Sequence, residues 1–302
     1  MFIEKLREFS QNNLVEYGEN QSLAAISTFK IGGTCDVLIY PKCAEGLFKV
    51  IELAKSTGTP FAVFGRCSNV LFSDNGYRGA IICTTKMKSI KKEDDLIVAE
   101  CGVLLNDLAR YCMTEGLSGM EFGYGIPGTV GGACYMNAGA YEHSVSEVLT
   151  GCKYYSIKED KVYSLTNDEM KLSYRHSVFS GDEDKIILEA SFRFGSGEPA
   201  EIKAQMDDYM GRRRSKQPLE YPSAGSVFKR CEGYFTGKLI QDLGLKGYSV
   251  GGAMISPKHA GFIINYENAT AEDVKKLIDE IIQKVYDEYG LTLQREVIYF
   301  GD

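Results

Sequence analysis

Apolar residues recur at helical spacing in residues 43–57, CAEGLFKVIELAKST, where Leu47, Val50, Ile51 and Ala54 share one face and Gly58 follows as a stop. The spacing predicts further helices over 104–115, with Leu104, Leu108, Tyr111 and Cys112 inward, and over roughly 199–213. The clearest helix is 270–290. Thr270 and Asp273 fit a capping box, Val274, Leu277, Ile278, Ile281, Ile282, Val285 and Tyr289 line one side, and Gly290 sits at the C′ position. Short apolar runs at 61–65, 80–85 and 96–102 read as strands, as do CKYYSI, KVYSL and KIILEASFRF within 150–195 and LTLQREVIYF at 291–300. Helices and strands mixed in this way predict an α+β or α/β chain. The first twenty residues carry acids among apolar positions and read as an amphipathic helix lacking the apolar core of a signal peptide.

Residues 116–139 break the pattern. Eight of these 24 positions are glycine and Glu121 is their one charged residue. That is too much glycine for a regular helix and too little polarity for a solvated loop. The expectation is a buried or ligand-covered loop, where missing side chains let another group approach the backbone. A tightly packed structural loop is the plainer alternative.

Composition narrows the function classes. The chain is 44% hydrophobic and 25% charged, with a net charge of −7. An acidic chain is a poor general binder of nucleic acid, and no apolar run approaches the length of a membrane span. A cytoplasmic protein with no obligate protein partner is expected. Nine cysteines occur without a C-x-x-C pair, and three histidines (143, 176, 259), so neither a disulfide framework nor a zinc site is indicated. Most of the thiols are expected to be small buried hydrophobes.

Against that background, residues 212–246 hold eight Lys and Arg and three acids. A local cation excess suits a phosphorylated or carboxylated ligand, although the Arg212–Arg213–Arg214 triplet alone reads as a solvated helix end. The turn GRCSNVLFSDNGYRG (65–79) follows a strand and can present successive amides to an anion; taken alone, these residues favour a plain surface turn. In GYGIPGTVGGACYMNAGAY (123–141), Gly128, Gly131 and Gly132 permit close approach and Thr129 adds a hydroxyl. The G-x-G-x-x-G match at Gly123, Gly125 and Gly128 contains Pro127, which is not a Rossmann fingerprint, and no P-loop is present. Ser226 lies in YPSAGSVFKR beside Lys229 and Arg230, outside any G-x-S-x-G elbow, so acyl transfer is not supported. Arg175 in LSYRHS and Glu296 in QREVIYF are an arginine beside an aromatic and an acid on an apolar strand face.

Taken in order, TFKIGG (28–33), the 65–79 turn, the 123–141 loop, SYRHSVF (173–179), RRRSKQPLEYPSAGSVFKR (212–230), GYFTGKLIQDLGLKGYSVGGA (233–253), HAGFIIN (259–265) and LQREVIYFG (293–301) resemble the family of UDP-N-acetylenolpyruvoylglucosamine reductases. The resemblance spans nearly the whole chain. It implies an α+β fold: an FAD-binding domain of the vanillyl-alcohol-oxidase (PCMH) type in two subdomains (1–58 and 59–197), then an α+β substrate domain (198–302) whose last strand returns toward the first subdomain. The implied cofactor is non-covalent FAD, with NADPH as hydride donor. Its pyrophosphate would lie on Gly65, Arg66, Cys67, Ser68 and Asn69 and on Gly125, Ile126, Pro127, Gly128, Thr129, Gly131, Gly132 and Ala133. The implied substrate is UDP-N-acetylglucosamine enolpyruvate, in peptidoglycan precursor synthesis.

Family roles carry over residue by residue. Ser226 matches the proton donor, and Arg175 and Glu296 match the other two catalytic positions. Tyr174, Lys216, Lys229, Arg230 and Lys238 fall in substrate-binding segments. The chain length resembles the shorter subtype, without an extra substrate-covering loop. Cys67 stands where many flavoproteins of this fold have Gly, Arg230 where other members have Asn, and Cys231 where Pro is common. Two other readings stay open. An oxidase of the same fold would not need Ser226 with Glu296, and a non-catalytic flavin or nucleotide-sugar regulator would not need Arg175, Ser226 and Glu296 together.

Overall fold

A computed structural model describes residues 1–231 and 233–301; Glu232 and Asp302, counted in the charges and boundaries above, lie outside the described residues. The chain divides into two compact units, one of residues 1–19, 37–66 and 79–211, the other of 20–36, 67–78 and 212–302.

The first unit is built on a five-stranded antiparallel sheet ordered Lys161–Thr166, Leu149–Ser156, Lys185–Phe192, Leu96–Glu100, Ile90–Glu93. Strand Phe61–Phe64 pairs in parallel with residues 80–83. Helix Ala44–Thr57 buries Leu47, Val50, Ile51 and Ala54 as its spacing predicts, and Gly58 ends it in the left-handed region at φ 64°. Helix Leu105–Thr114 turns inward Leu105, Leu108, Ala109 and Cys112, a stripe rotated slightly from the expected one, with Leu104 and Tyr111 at its margin.

Two expectations for this unit are corrected. The N-terminal helix covers only Phe2–Gln11 and gives way to strand Val15–Ser22. Asn13 takes a left-handed conformation at φ 59°, and the Leu14 amide turns back to the Phe9 carbonyl, which stops the helix. The glycine-rich segment does contain a helix, Val130–Met136. The Thr129 side chain caps its start by accepting the Gly132 N–H, and left-handed Asn137 closes it.

The second unit carries an antiparallel sheet ordered Ser223–Ser226, Phe262–Asn265, Ala253–Ile255, Ser249–Val250. Helix Ala271–Tyr289 buries Val274, Leu277, Ile278, Ile281 and Val285. Both halves of the Thr270–Asp273 capping box form, and Gly290 is the left-handed C-cap. Asp74 adds to the same helix start, accepting the amides of Ala271 and Glu272 at 2.8 and 3.2 Å. The last expected strand is shorter than its sequence pattern. Only Ile298–Phe300 pairs, in parallel with Val70–Phe72, because 294–297 is held instead by residues 227–229. In the Arg triplet, Arg212 and Arg214 are exposed while Arg213 is buried, so the solvated-end expectation fails for the middle residue.

The capping box yields a stability test. Thr270→Ala removes the acceptor for the Asp273 amide and is expected to cost about 1 kcal/mol, read as a lower urea midpoint with an unchanged slope.

Candidate functional site

In the first unit, the turn at Gly65 and the loop at 125–133 come together. A β-carbon on Gly65 would land on the Thr129 hydroxyl oxygen, well inside van der Waals contact. Thr129 is itself 1% exposed and cannot retreat. Glycine at this turn is therefore fixed by the neighbouring loop. The carbonyls just before the turn are also tied down: the Cys83 thiol donates to the Gly65 carbonyl at 3.2 Å, and the Thr84 hydroxyl donates to the Phe64 carbonyl at 3.3 Å. Burial pushes the Cys83 thiol up from its ordinary range, so it stays protonated and remains a donor.

The loop's amides sort into two groups. Gly125 N–H goes to Asn106 Oδ1 at 2.6 Å, Ile126 N–H to the Gly123 carbonyl, Val130 N–H to Val103 and Gly131 N–H to Cys101. Gly132 N–H goes to the Thr129 hydroxyl, and Ala133 N–H to the Thr129 carbonyl. Pro127 has no N–H. The amides of Gly128 and Thr129 make none of the loop's backbone hydrogen bonds. The glycines differ likewise. A β-carbon on Gly131 would sit 2.9 Å from Cys101 Cβ, whereas one on the exposed Gly132 meets nothing nearer than 3.5 Å. Gly131 serves packing, and Gly132 leaves an open surface beside two available amides. That is a backbone cradle suited to a phosphate group.

Arg175 belongs to the same unit. It occupies a tight turn closed by hydrogen bonds between Ser173 and His176 and takes a left-handed φ of 53°. Its Nη2 donates to the Gly139 carbonyl at 3.3 Å, and its guanidinium lies 5.3 Å from the centre of the half-exposed Tyr174 ring. Asn137 anchors the turn by donating to the Ser173 carbonyl at 3.0 Å. Helix Val130–Met136 thus ends where the Arg175 turn is fastened. Neither Asn137 nor Asn106 stands out in the sequence by itself. An Asn just beyond a short helix was the available signal for the former.

Ser226 and Glu296 belong to the second unit, where the backbone brings them into register. Ser223 faces Ile264 and Ser226 faces Phe262, so one extra residue is accommodated, and Gly225 takes φ 77°. Such a bulge re-aims the side chain that follows it. Ser226 is exposed at this point and Glu296 is half-buried. The Glu296 amide donates to the carbonyl of Val227, the residue after Ser226, at 2.7 Å. On its other side the Glu296 carbonyl accepts Asn69 Nδ2 at 3.1 Å, and Ile298 N–H goes to the Asn69 carbonyl at 3.0 Å. Cys67 is 4% exposed with φ 53°. That left-handed value is a conformation in which glycine carries no steric cost.

The basic residues are scattered. Lys216 is exposed at the end of helix Pro199–Lys216. Lys229 is half-buried and its amide donates to the Gln294 carbonyl. Arg230 is exposed over the Phe235 ring at 5.9 Å. Lys238 pairs with both oxygens of Asp242 at 2.8 Å, one helical turn along.

A family model described as the UDP-N-acetylenolpyruvoylglucosamine reductase C-terminal domain matches residues 217–300, and one described as an FAD binding domain matches 35–158. A UDP-N-acetylenolpyruvoylglucosamine reductase of Caldicellulosiruptor saccharolyticus is 46% identical over 95% of this chain and 93% of its own length. Its counterpart in Caldicellulosiruptor bescii is 45% identical over 97% and 94%. The crystal structure of the reductase of that name from Thermus caldophilus superposes with a TM-score of 0.78 at 29% identity, covering 95% of this chain and 98% of that one.

The two kinds of glycine separate experimentally. Gly65→Ala is expected to cost about 1–3 kcal/mol through overpacking against Thr129. Gly132→Ala is expected to leave stability unchanged or raise it by up to about 1 kcal/mol, as alanine suits a helix better, read as an equal or higher urea midpoint, while weakening retention of a phosphate-bearing cofactor.

Proposed function

Because the chain belongs to the UDP-N-acetylenolpyruvoylglucosamine reductase family, we propose that it reduces UDP-N-acetylglucosamine enolpyruvate to UDP-N-acetylmuramate, an NADPH-dependent step in peptidoglycan precursor synthesis. The observation that carries this reading is the Glu296 amide on the Val227 carbonyl at 2.7 Å, which fixes a hydroxyl and a carboxylate in one backbone register. The cofactor is FAD, held without a covalent bond. Gly65 to Asn69, Gly125 to Thr129, and Gly131 to Ala133 are the backbone proposed to receive it. The bare Gly65 turn, the open Gly132 and the two available amides of Gly128 and Thr129 fit a pyrophosphate. When bound, FAD would supply from its N5 the hydride for C3 of the enolpyruvyl group, with NADPH as the hydride source.

The remaining steps fall to the chain's own residues. Negative charge grows at C2 and spreads into the substrate carboxylate as C3 is reduced. A cation at that carboxylate is worth more in the transition state than in the ground state, and Arg175 is assigned this role. The Gly139 carbonyl and the Asn137 anchor restrict its guanidinium, so less ordering remains to be done on binding. Ser226 delivers a proton to C2, and basic neighbours such as Lys229 relieve the alkoxide charge. Glu296 orients the carboxylate or a water beside it. Tyr174, Lys216, Lys229, Arg230 and Lys238 are assigned to the sugar nucleotide, Lys238 by sharing the charge now paired with Asp242.

Within this proposal, residues 1–58 and 59–197 serve FAD and 198–302 serves the substrate. No helix among the described residues is long and apolar enough to cross a membrane. The protein works in the cytoplasm on a soluble small molecule.

Ser226→Ala separates the half-reactions. NADPH should bleach the flavin at the wild-type rate, while reoxidation by the enolpyruvyl sugar nucleotide should slow by about a hundredfold or more, roughly 3 kcal/mol of lost transition-state stabilisation. Reoxidation at the wild-type rate in stopped flow excludes Ser226 as the donor.

A further inference from the structure

His259 takes no part in the steps above, yet its ring is built into the support of Ser226. The imidazole lies against backbone that has no side chain to displace it. Its Cε1 is 3.4 Å from where a β-carbon on Gly237 would stand and 3.0 Å from the corresponding position on Gly261. The Phe262 ring meets it edge-on, with centroids 5.0 Å apart. The ring is therefore fixed in orientation, and it directs Nδ1 at the Gly261 amide, which donates to it at 3.1 Å.

From that contact a chain of backbone hydrogen bonds reaches both reacting residues. The Gly261 carbonyl accepts the Val227 N–H at 2.9 Å, and the Val227 carbonyl accepts the Glu296 N–H at 2.7 Å. Ser226 sits between these links, paired across the sheet with Phe262. Here the bulge at Gly225 interrupts the regular ladder.

We propose that His259 is a positioning residue: its unprotonated Nδ1 accepts the Gly261 N–H and so holds the backbone chain that sets Ser226 against Glu296. The inference rests on the reading of Ser226 as proton donor and Glu296 as its partner carboxylate.

A neutral imidazole has one acceptor nitrogen, so acceptance at Nδ1 places the ring proton on Nε2. Protonation converts Nδ1 to a donor facing another donor, and the Gly261 contact is lost. The surroundings favour the neutral ring. Burial holds His259 below the ordinary histidine range, and the positive charge of Lys246 acts in the same direction. The other charges nearby are engaged elsewhere. Lys258 pairs with Glu220, and Lys238 pairs with Asp242 on the helix that presents Gly237 to the ring. The contact is thus intact at neutral pH and lost as pH falls through a lowered histidine pKa.

The test uses FAD-loaded enzyme and two variants. His259→Ala removes the acceptor. His259→Asn keeps one, because an Asn side-chain oxygen reaches the N–H two residues on, but it does not titrate. With wild type, substrate reoxidation of reduced flavin should be level near neutrality and fall on the acid side, below the ordinary histidine range. His259→Ala should be about tenfold slower at neutral pH, the effect of an unmade buried hydrogen bond, with reduction by NADPH unchanged. His259→Asn should react near the wild-type rate and lack that acid limb. Nitrogen NMR of the wild type should report Nδ1 unprotonated at neutral pH. Amide exchange at Gly261 and Val227 should quicken in His259→Ala but not in His259→Asn. A wild-type rate in His259→Ala, an Asn variant as slow as the Ala variant, an unaltered acid limb in His259→Asn, or a protonated Nδ1 overturns the proposal. The NMR and exchange readouts do not depend on chemistry at Ser226, so failure of the functional assignment is distinguishable from failure of this one.

Discussion

One short stretch of backbone, residues 294–298, carries the organisation of the second unit. It is bonded on both sides: to Val227 and Lys229 through Glu296 N–H and the Gln294 carbonyl, and to Asn69 through the Glu296 carbonyl and Ile298 N–H. Glu296, the strand of Ser226 and Asn69 are thereby set by a single segment. These backbone bonds fix the position of the segment without using the Ser226 or Glu296 side chains. The cost is a broken ladder, visible in the register shift before Ser226 and in a last strand of only three residues.

The first unit solves a different problem, which is to bring bare backbone close to bare backbone and keep it there. Helix Val130–Met136 links the two features of interest, with Thr129 at its start and Asn137 at its end. Around that end, Asn137, Tyr141, Glu142, Lys171 and Arg175 all take positive φ. Left-handed backbone costs a non-glycine residue roughly 1–2 kcal/mol, so the conformation persists because its surroundings over-determine it. Tyr141 shows how: its ring stacks on Tyr209 at 4.4 Å, and its hydroxyl donates to the Tyr209 carbonyl at 2.9 Å.

Buried thiols complete this unit's interior. Burial raises Cys101, Cys112 and Cys152 to about 12 and raises Cys134 further from the thiolate range. They behave as small apolar side chains that fill narrow gaps, as at Cys101 against Gly131. Cys83 differs in having a polar task, since its proton goes to the Gly65 carbonyl.

Helix Ala271–Tyr289 with its capping box, helix Ala44–Thr57 with Gly58, and four strands of the five-stranded sheet were legible in the sequence; the mostly exposed Ile90–Glu93 was not. In each, the period of the apolar residues and the terminal signal come from neighbours a few positions apart. The glycine content of 123–141 likewise marked a place of close approach, and the resemblance of eight ordered segments identified the family. Local pattern did not reveal which glycine answers to which neighbour, because Gly65 is dictated by Thr129 and Gly131 by Cys101, each many residues distant. It did not reveal that Arg213 is buried between two exposed arginines, or that the Gly261 carbonyl accepts the Val227 N–H. Those outcomes depend on contacts between segments far apart in the chain. Only the folded backbone brings such segments within the few ångströms over which sterics and hydrogen bonds act.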